Sequence, residues 1–340
     1  MKNYVLYFNS PNEVTVMEEP IPTPKSDELL IQNVFSGISA GTELMLYRGL
    51  MPDNMDLDSN IASLRKKLTY PFKYGYCSVG RIVETGSERL NDLLNQWVFA
   101  FNPHESYFCV KKKDILLLPP NITPHDALFL PNLETALNFI LDSSPLIGEN
   151  VLILGLGIVG LLTTALLEQF PLSLIIGVDG YEKRRNLGRT LGVHTTFDPN
   201  QPNFHEQLTD FLGSLAHPHL DLVYELTGNP AALNSAIELI GYEGRIVIGS
   251  WYGKKSCPID LGGRFHRNRI KLTASQVSTI ASELQGRWDK KRRLSVVLKM
   301  LNKIQPSRFV SHQFHITQAH KAYQLLNTHP EEALLVSLTY

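Results

Sequence analysis

The stretch VLILGLGIVGLLTTALLEQF, residues 151–170, decides the fold. It starts with an apolar segment of strand length, turns at Gly155, Gly157 and Gly160, and continues with apolar residues at helical spacing. Glycines at these places allow a tight turn, a close approach of the backbone to a ligand, and close packing of a helix on a strand. The stretch therefore predicts a buried strand, a tight turn and a helix. We prefer this interpretation to that of a membrane-spanning helix, because such a helix needs about 20 apolar residues.

Alternating strands and helices continue on the C-terminal side of this stretch. The apolar strand-like segments are 173–179, 220–226 and 244–250, and the helix-like segments are 182–192 and 230–240. Near-continuous apolar strands that alternate with helices are typical of a parallel sheet covered on both faces. The first 120 residues differ, because short alternating segments are separated there by proline, glycine and asparagine. The sequence therefore predicts an α/β fold with a β-rich N-terminal part and a doubly wound parallel sheet.

The glycine turn also predicts a ligand. The unpaired N–H groups and the dipole at the start of a helix attract the pyrophosphate of a dinucleotide, and the glycines let it approach. The predicted binding residues of this turn are consecutive: Gly155, Leu156, Gly157, Ile158, Val159 and Gly160. Asp179 ends the following strand, near the spacing of about 20 residues expected of a carboxylate that accepts hydrogen bonds from the ribose.

Two features bear on the choice between NAD and NADP. The Asp179 carboxylate would repel a 2′-phosphate, which favours NAD. Lys183, Arg184 and Arg185 follow closely and could instead clamp that phosphate, or could form a solvated first turn of a helix. We predict NAD, with NADP as the open alternative and Arg184 as a cofactor neighbour.

Four small residues complete the predicted cofactor site. Thr227 and Gly228 follow one apolar strand, and Gly249 and Ser250 follow the next. Ligands of open α/β sheets bind at the carboxyl ends of parallel strands, where these residues stand.

Composition narrows the class of protein. The chain has 340 residues with 32 lysines and arginines against 33 aspartates and glutamates, and this near-balance does not favour nucleic-acid binding. The three cysteines stand far apart, which disfavours a disulfide framework and indicates the cytoplasm. A length of 340 residues suggests two domains. We expect a small-molecule substrate and neither nucleic acid nor membrane as a partner.

Three long motifs resemble a known family. SGISAGTELMLYRG (36–49) and YPFKYGYCSVGRIVETG (70–86) resemble bacteriochlorophyllide a dehydrogenase and its relatives, and residues 250–276 resemble a bacterial branch labelled zinc-binding alcohol dehydrogenase. The whole chain thus resembles the medium-chain dehydrogenase/reductase superfamily. The resemblance implies a GroES-like catalytic domain, a Rossmann NAD(P)-binding domain and an active site in the cleft between them. The implied domain ranges are 1–122 with 276–340, and 123–275. It also implies a homodimer formed through an edge strand near 271–274.

The resemblance further implies where a catalytic zinc would be held. The positions that match the family's ligands are Ser39, Tyr76, and Pro131 or Asn132. A hydroxyl, a phenol and a proline or carboxamide do not replace the thiolate, imidazole or carboxylate that zinc requires. We therefore predict no metal, with a site made of Cys77 and His104 as the open alternative.

Without zinc, hydride transfer needs a proton donor at the carbonyl oxygen. The resemblance puts the Tyr76 hydroxyl where the metal would be, so Tyr76 is the first candidate, and Ser39 and Thr42 could orient it or relay a proton. Each of these could instead be a packed aromatic or a turn hydroxyl. Further candidate donors and carboxylates, each with a structural alternative, are Glu43, Glu134, His104 and His266.

The function that these residues predict is zinc-independent, NAD(P)-dependent oxidoreduction of a secondary alcohol or ketone. One alternative is reduction of an activated C=C bond, as in quinone and enoyl reductases. Another is a non-catalytic dinucleotide-binding or redox-sensing protein. Two segments stay open: residues 50–69 could form a lid or a surface excursion, and KKRR (290–293) a solvated helix face or a phosphate-binding patch.

Overall fold

The computed structural model describes residues 2–52, 55–57, 61, 64, 65 and 67–340. They divide into two compact units. Unit 1 comprises Met1–Pro131 and Leu301–Tyr340, and unit 2 comprises Asn132–Met300. The predicted boundaries at 122 and 276 lie earlier in the chain than these divisions, which fall inside two helices.

The strands and helices are numbered in chain order. The strands are β1 Asn3–Ser10, β2 Glu13–Glu19, β3 Glu28–Ile38, β4 Ser78–Thr85, β5 Trp97–Ala100, β6 Tyr107–Lys111, β7 Ile115–Leu117, β8 Asn150–Leu154, β9 Leu174–Val178, β10 Thr195–Phe197, β11 Leu220–Glu225, β12 Ile240–Ile248, β13 Lys271–Ala274, β14 Val310–His315 and β15 Leu335–Thr339. The α-helices are α1 Ala40–Tyr47, α2 Pro124–Ala127, α3 Leu130–Ser143, α4 Ile158–Leu167, α5 Glu182–Thr190, α6 Phe204–Gly213, α7 Ala232–Leu239, α8 Arg264–Arg267, α9 Lys290–Ile304 and α10 Ala319–Thr328. Short 3₁₀ turns cover Glu88–Leu93, Lys112–Asp114, Ser282–Leu284, Pro306–Phe309 and Ile316–Gln318.

Unit 2 is built on a parallel sheet in the order β10-β9-β8-β11-β12-β13. Every pair of neighbours in it is parallel, and every residue of the central strand β8 is buried. Strands β9 and β10 lie on one side of β8, and strands β11, β12 and β13 lie on its other side. In doubly wound folds a crevice forms at such a switch point, here at the carboxyl ends of the neighbouring strands β8 and β11. The α/β fold class is confirmed.

Unit 1 is β-rich, as the punctuated N-terminal segments predict. It contains the antiparallel hairpin β1-β2 and a sheet in the order β14-β15-β3-β4-β5-β7, with β6 also paired to β3. The last part of the chain returns to this unit, because β15 pairs with β3. Helix α2 begins after Thr123, whose hydroxyl caps it by accepting a hydrogen bond from the Asp126 amide at 3.0 Å.

Strand β10 and helix α6 of unit 2 were not predicted. Strand β10 has 3 residues, too few for a periodic pattern to be recognised. Helix α6 does carry a signal, because Phe204, Leu208 and Leu212 recur every four residues and are all buried. Among the described residues, no helix is both long and apolar enough to cross a bilayer.

The segment 50–69 lies partly outside the described residues, so its predicted role as a lid stays a prediction. Of its described residues, Met51, Leu57 and Leu64 are buried in the core of unit 1.

Candidate functional site

Two of the three glycines at the carboxyl end of β8 are required by the backbone around them. Gly155 has a φ of +96°, and a Cβ added to it would lie 2.8 Å from the carbonyl carbon of Leu226. A Cβ on Gly160 would lie 2.0 Å from the carbonyl oxygen of Gly155. These two glycines therefore shape the turn and let α4 approach β8.

Gly157 differs from them, because the space beside it is open. It caps the ten-residue helix α4, and the nearest atom to a Cβ built there is the Arg184 Nη1, 3.9 Å away. The open side of the turn thus faces a guanidinium and the first N–H groups of a helix. A pyrophosphate fits this environment, because both the helix end and the guanidinium favour an anion. The neighbouring Ile158 and Val159 form the first turn of α4.

Asp179 lies directly after β9 and faces the glycine turn. Its carboxylate accepts hydrogen bonds from the amides of Leu156 at 2.8 Å and Tyr181 at 2.9 Å, and it is 7% exposed. These two bonds hold the carboxylate against the turn and leave further lone pairs for a ribose hydroxyl. The Leu156 side chain is fully buried, so this residue contributes to the turn through its amide.

The basic residues after Asp179 have different roles. The Arg184 guanidinium lies 4.7 Å from the centre of the Tyr181 ring, and its Nη1 lies 3.8 Å from the Asp179 carboxylate. Arg185 points elsewhere, because it pairs with Asp198 at 3.2 Å and donates to the Asp179 carbonyl at 2.7 Å. Arg184 is therefore the cation of this group that lies beside the glycine turn.

Three of the four small residues predicted beyond β11 and β12 are brought together. The Thr227 amide donates to the Glu225 Oε1 at 2.8 Å, and its hydroxyl bonds the same oxygen. The Gly228 amide donates to the Ser250 hydroxyl at 2.8 Å. Gly249 has a packing role, since an added Cβ would lie 2.3 Å from the Phe139 ring.

Sequence reasoning missed Glu225, the last residue of β11. This fully buried carboxylate accepts from Thr227 and, at 2.5 Å, from the Tyr252 hydroxyl. Burial and the neighbouring carboxylate raise the pKa of Tyr252. A charged residue at the carboxyl end of a predicted parallel strand was the available signal. Lys255 adds a further link by donating to the Gly228 carbonyl at 2.7 Å.

Unit 1 brings together the three hydroxyl residues predicted to handle protons. Tyr76 is half-buried, and its hydroxyl donates to the Ser39 Oγ. Burial raises the pKa of Tyr76 to about 12, and hydrogen bonds with Ser39 and Thr42 oppose that rise. The phenol is therefore neutral near pH 7 and has a proton to donate. Ser39 immediately precedes α1, which also carries Thr42.

Glu43 and His104, two of the further candidates, lie together in the interior of unit 1. Both are fully buried, and the Glu43 Oε2 is 3.0 Å from the His104 Nε2. The other oxygen of Glu43 accepts from the Ser39 amide at 2.8 Å. His266 is exposed on α8 in unit 2.

The Cys77 and His104 side chains, which form the open alternative for a metal site, already have hydrogen-bond partners within unit 1. The Cys77 thiol donates to the Leu128 carbonyl at 3.1 Å, and burial raises its pKa to about 12. Both ring nitrogens of His104 already have partners, Ser36 and Glu43. Within the part of the chain that the structure describes, the one cluster of three metal-binding side chains is exposed and lies elsewhere: His329, Glu331 and Glu332.

Glu134, the fourth predicted catalytic residue, lies on α3 in unit 2. It is not part of the hydroxyl cluster of unit 1, which consists of Ser39, Thr42 and Tyr76. Its Oε1 accepts from Arg293 Nη2 at 2.8 Å and Nε at 3.1 Å. Arg293 is 1% exposed and also donates to Asn138 at 2.5 Å. This ion pair gives Glu134 a clear structural role. The two arginines of KKRR (290–293) therefore have different environments. Arg293 is buried, whereas the Arg292 guanidinium lies 4.3 Å from the centre of the Trp288 ring.

This chain is similar in sequence and in fold to known dehydrogenases. Residues 159–291 match the family model of zinc-binding dehydrogenases. D-guloside 3-dehydrogenase from Escherichia coli K12 is 21% identical, over 98% of this chain and 99% of that protein. A short chain alcohol dehydrogenase from Escherichia coli CFT073, complexed with NADH, has a TM-score of 0.78 at 17% identity, over 100% and 99% of the two chains. A protein described as a zinc-binding dehydrogenase from Sinorhizobium meliloti 1021, bound to NADP, has a TM-score of 0.77 at 19% identity, over 100% of both.

Proposed function

We propose that this chain is a member of the medium-chain dehydrogenase/reductase superfamily of zinc-type alcohol dehydrogenase-like proteins and a zinc-independent oxidoreductase acting on a secondary alcohol or ketone. Its cofactor class is NAD(P), and the cofactor when bound supplies or accepts the hydride. The observation that supports the proposal most is the Tyr76–Ser39 hydrogen bond, because it joins a neutral phenol to a hydroxyl and these are two of the residues at which the family resemblance implies metal ligands.

The chain's own residues account for cofactor binding in unit 2. The turn Gly155–Gly160 and the start of α4 hold the pyrophosphate, and Asp179 accepts from the ribose. We favour NAD because the buried Asp179 carboxylate repels a 2′-phosphate. Arg184, which lies beside the turn, keeps NADP as the alternative to be tested.

Tyr76 handles the proton in this proposal. In the reductive direction the phenol turns its proton from Ser39 to the carbonyl oxygen and donates it as the hydride arrives, and the resulting phenolate takes a proton from water. Hydrogen bonds from Ser39 and Thr42 stabilise the phenolate, which follows from their lowering of the pKa of Tyr76. A ketone reduced in this way needs no Lewis acid at its oxygen.

The substrate class rests on the relatives. The match to a D-guloside 3-dehydrogenase along 98% of the chain supports a secondary alcohol over an activated C=C bond. Both reactions would use the Tyr76 proton, so a substrate screen has to separate them.

Two further properties belong to the proposal. A homodimer could form through β13, since this strand ends the parallel sheet and three of its four residues are exposed. A cytoplasmic location agrees with the three free cysteines.

The decisive experiment is titration of the chelator-treated protein with NADH and NADPH by nicotinamide fluorescence, with metal analysis of the untreated protein. We expect tighter binding of NADH, less than a stoichiometric amount of zinc, and turnover of secondary alcohols or ketones after chelation. Loss of turnover on chelation with recovery on adding zinc would overturn zinc independence. Binding of neither nucleotide would overturn the enzyme proposal.

A further inference from the structure

The Glu43 carboxylate is fully enclosed in unit 1 and is bonded on both oxygens. Its Oε1 accepts from the Ser39 amide at 2.8 Å, and its Oε2 accepts from His104 Nε2 at 3.0 Å and from the Tyr323 hydroxyl. An enclosed carboxylate is costly unless donors surround it. Three donors meet that requirement here, and one of them is the amide of the residue whose hydroxyl bonds Tyr76.

His104 extends the network on its other side. Its Nδ1 lies 2.7 Å from the Ser36 hydroxyl, which lies 2.6 Å from the hydroxyl of Tyr340. The ring packs against the backbone that leads into Tyr76, because a Cβ added to Gly75 would lie 2.8 Å from the His104 Cδ2. Gly75 also has a φ of +128°, a conformation that favours glycine. The imidazole is therefore held between Glu43 and the start of the Tyr76 segment.

We propose that Glu43 and His104 are positioning residues that hold Ser39 and the Gly75–Tyr76 backbone, and thereby set where the Tyr76 hydroxyl lies and which way it can turn its proton. The two residues act on the position of the Tyr76 hydroxyl through different contacts. Glu43 acts through the Ser39 amide and His104 acts through contact with Gly75. This inference rests on the proposed function, because the direction of donation matters only if Tyr76 protonates a substrate.

The geometry assigns positioning and not proton relay to this pair. The link from Glu43 to Ser39 is a backbone N–H, whereas the link from Ser39 to Tyr76 is a side-chain hydroxyl. A backbone amide does not release its proton near neutral pH, so the path between Glu43 and Tyr76 transmits geometry and no proton. Orientation at this level matters, because a displacement of about 1 Å at a reacting group can cost about 10²-fold in rate.

The test compares Glu43→Ala with the conservative Glu43→Gln. Glutamine keeps a carbonyl oxygen for the Ser39 amide, and its NH₂ can face His104 if the imidazole adopts its other tautomer. We expect Glu43→Ala to lower kcat about 10- to 100-fold with KM nearly unchanged, and Glu43→Gln to stay within about threefold of the wild type. Wild-type kcat in folded Glu43→Ala would overturn the proposal.

A control separates positioning from a general loss of stability. Tyr224→Phe removes a different buried tyrosine hydroxyl, one that lies 2.6 Å from the Ser143 Oγ in unit 2. We expect it to lower the melting temperature while kcat keeps its wild-type value. An equal fall of kcat in this variant would make stability the cause and overturn the positioning role.

A readout without substrate or cofactor separates this inference from the proposed function. Hydrogen–deuterium exchange at the Ser39 amide should be at least about tenfold faster in Glu43→Ala than in the wild type or Glu43→Gln. Unchanged exchange would overturn the positioning role whatever the activity. If exchange changes but the wild type turns over no substrate, the proposed function fails and the contact stands without a catalytic purpose.

If Glu43→Ala does not fold, His104→Leu provides the second variant. It leaves the carboxylate its Ser39 and Tyr323 donors, so its expected fall in kcat is smaller, about three- to tenfold. A folded His104→Leu with wild-type kcat and unchanged exchange at Ser39 would overturn the proposal.

Discussion

The glycine turn of unit 2 and the hydroxyl cluster of unit 1 are built in opposite ways. The turn is made by six consecutive residues, Gly155–Gly160, and it acts through backbone N–H groups and the absence of side chains. The cluster, which consists of Ser39, Thr42 and Tyr76, acts through side chains that are distant in sequence, since Tyr76 and Ser39 are 37 residues apart. A local site of the first kind leaves a motif in the sequence, whereas an assembled site of the second kind leaves scattered polar residues.

The two regions should therefore fail differently when changed. A substitution at Gly155 or Gly160 meets fixed backbone and disturbs folding and cofactor binding together. A substitution in the cluster removes one functional group and leaves the fold in place. The predictions below test this difference, from the largest expected effect to the smallest.

Gly160→Ala should have the largest effect. Its Cβ would meet the Gly155 carbonyl oxygen at 2.0 Å, and neither backbone segment can move without separating α4 from β8. We expect the free energy of unfolding to fall by about 3 kcal/mol or more, with loss of NADH binding. Denaturant unfolding and fluorescence titration would measure both.

Gly157→Ala is the matched control in the same turn. The nearest atom to its Cβ is 3.9 Å away, so we expect an unfolding free energy within about 0.5 kcal/mol of the wild type. NADH affinity should nevertheless fall, because the methyl group would occupy the open side of the turn. Equal destabilisation by Gly160→Ala and Gly157→Ala would contradict the difference in packing between these two glycines.

Tyr76→Phe should affect turnover and little else. Removing the hydroxyl takes away the proton donor and the bond to Ser39, so we expect kcat to fall by about 10²-fold or more. The NADH dissociation constant should stay unchanged, because the cofactor residues lie in unit 2. Unchanged turnover would remove Tyr76 from the mechanism.

Glu134→Gln should affect stability more than chemistry. Loss of the charge weakens the bonds to Arg293, a guanidinium that is 1% exposed, and we expect a cost of about 1.5–3 kcal/mol in unfolding free energy. Glu238→Gln is the control, since its side chain is 64% exposed and the expected cost is below about 1 kcal/mol. A fall in kcat of about 10²-fold at unchanged stability would instead favour the catalytic role predicted from the sequence.

Thiol reactivity should show the smallest effect. Burial raises the pKa of Cys77 to about 12 and the pKa of Cys109 to about 11, so both thiols stay protonated at pH 8. Because the thiolate is the reactive form, iodoacetamide should modify both at least about tenfold more slowly in the native chain than in urea. Mass spectrometry of the alkylated peptides would measure this, and equal rates would contradict the burial of these thiols.

The sequence by itself determined the α/β class, the strand and helix that flank the glycine turn, and the position of Asp179 beside it. Each of these depends on periodicity or on the spacing of neighbouring residues, which are visible along one chain. It also indicated Tyr76, Ser39 and Thr42 through resemblance, and the structure brings these three together.

Only the tertiary structure decided which polar residues meet. Nothing in LDLVYEL shows that Glu225 bonds Tyr252, and nothing around Glu134 shows that Arg293 reaches it from another helix. The same holds for Glu43 and His104, which become partners because α1 packs against the segment that carries the imidazole. The physical reason is that a buried charge is stabilised by whichever donors the packed chain brings to it, and those donors lie at sequence distances that no local pattern encodes.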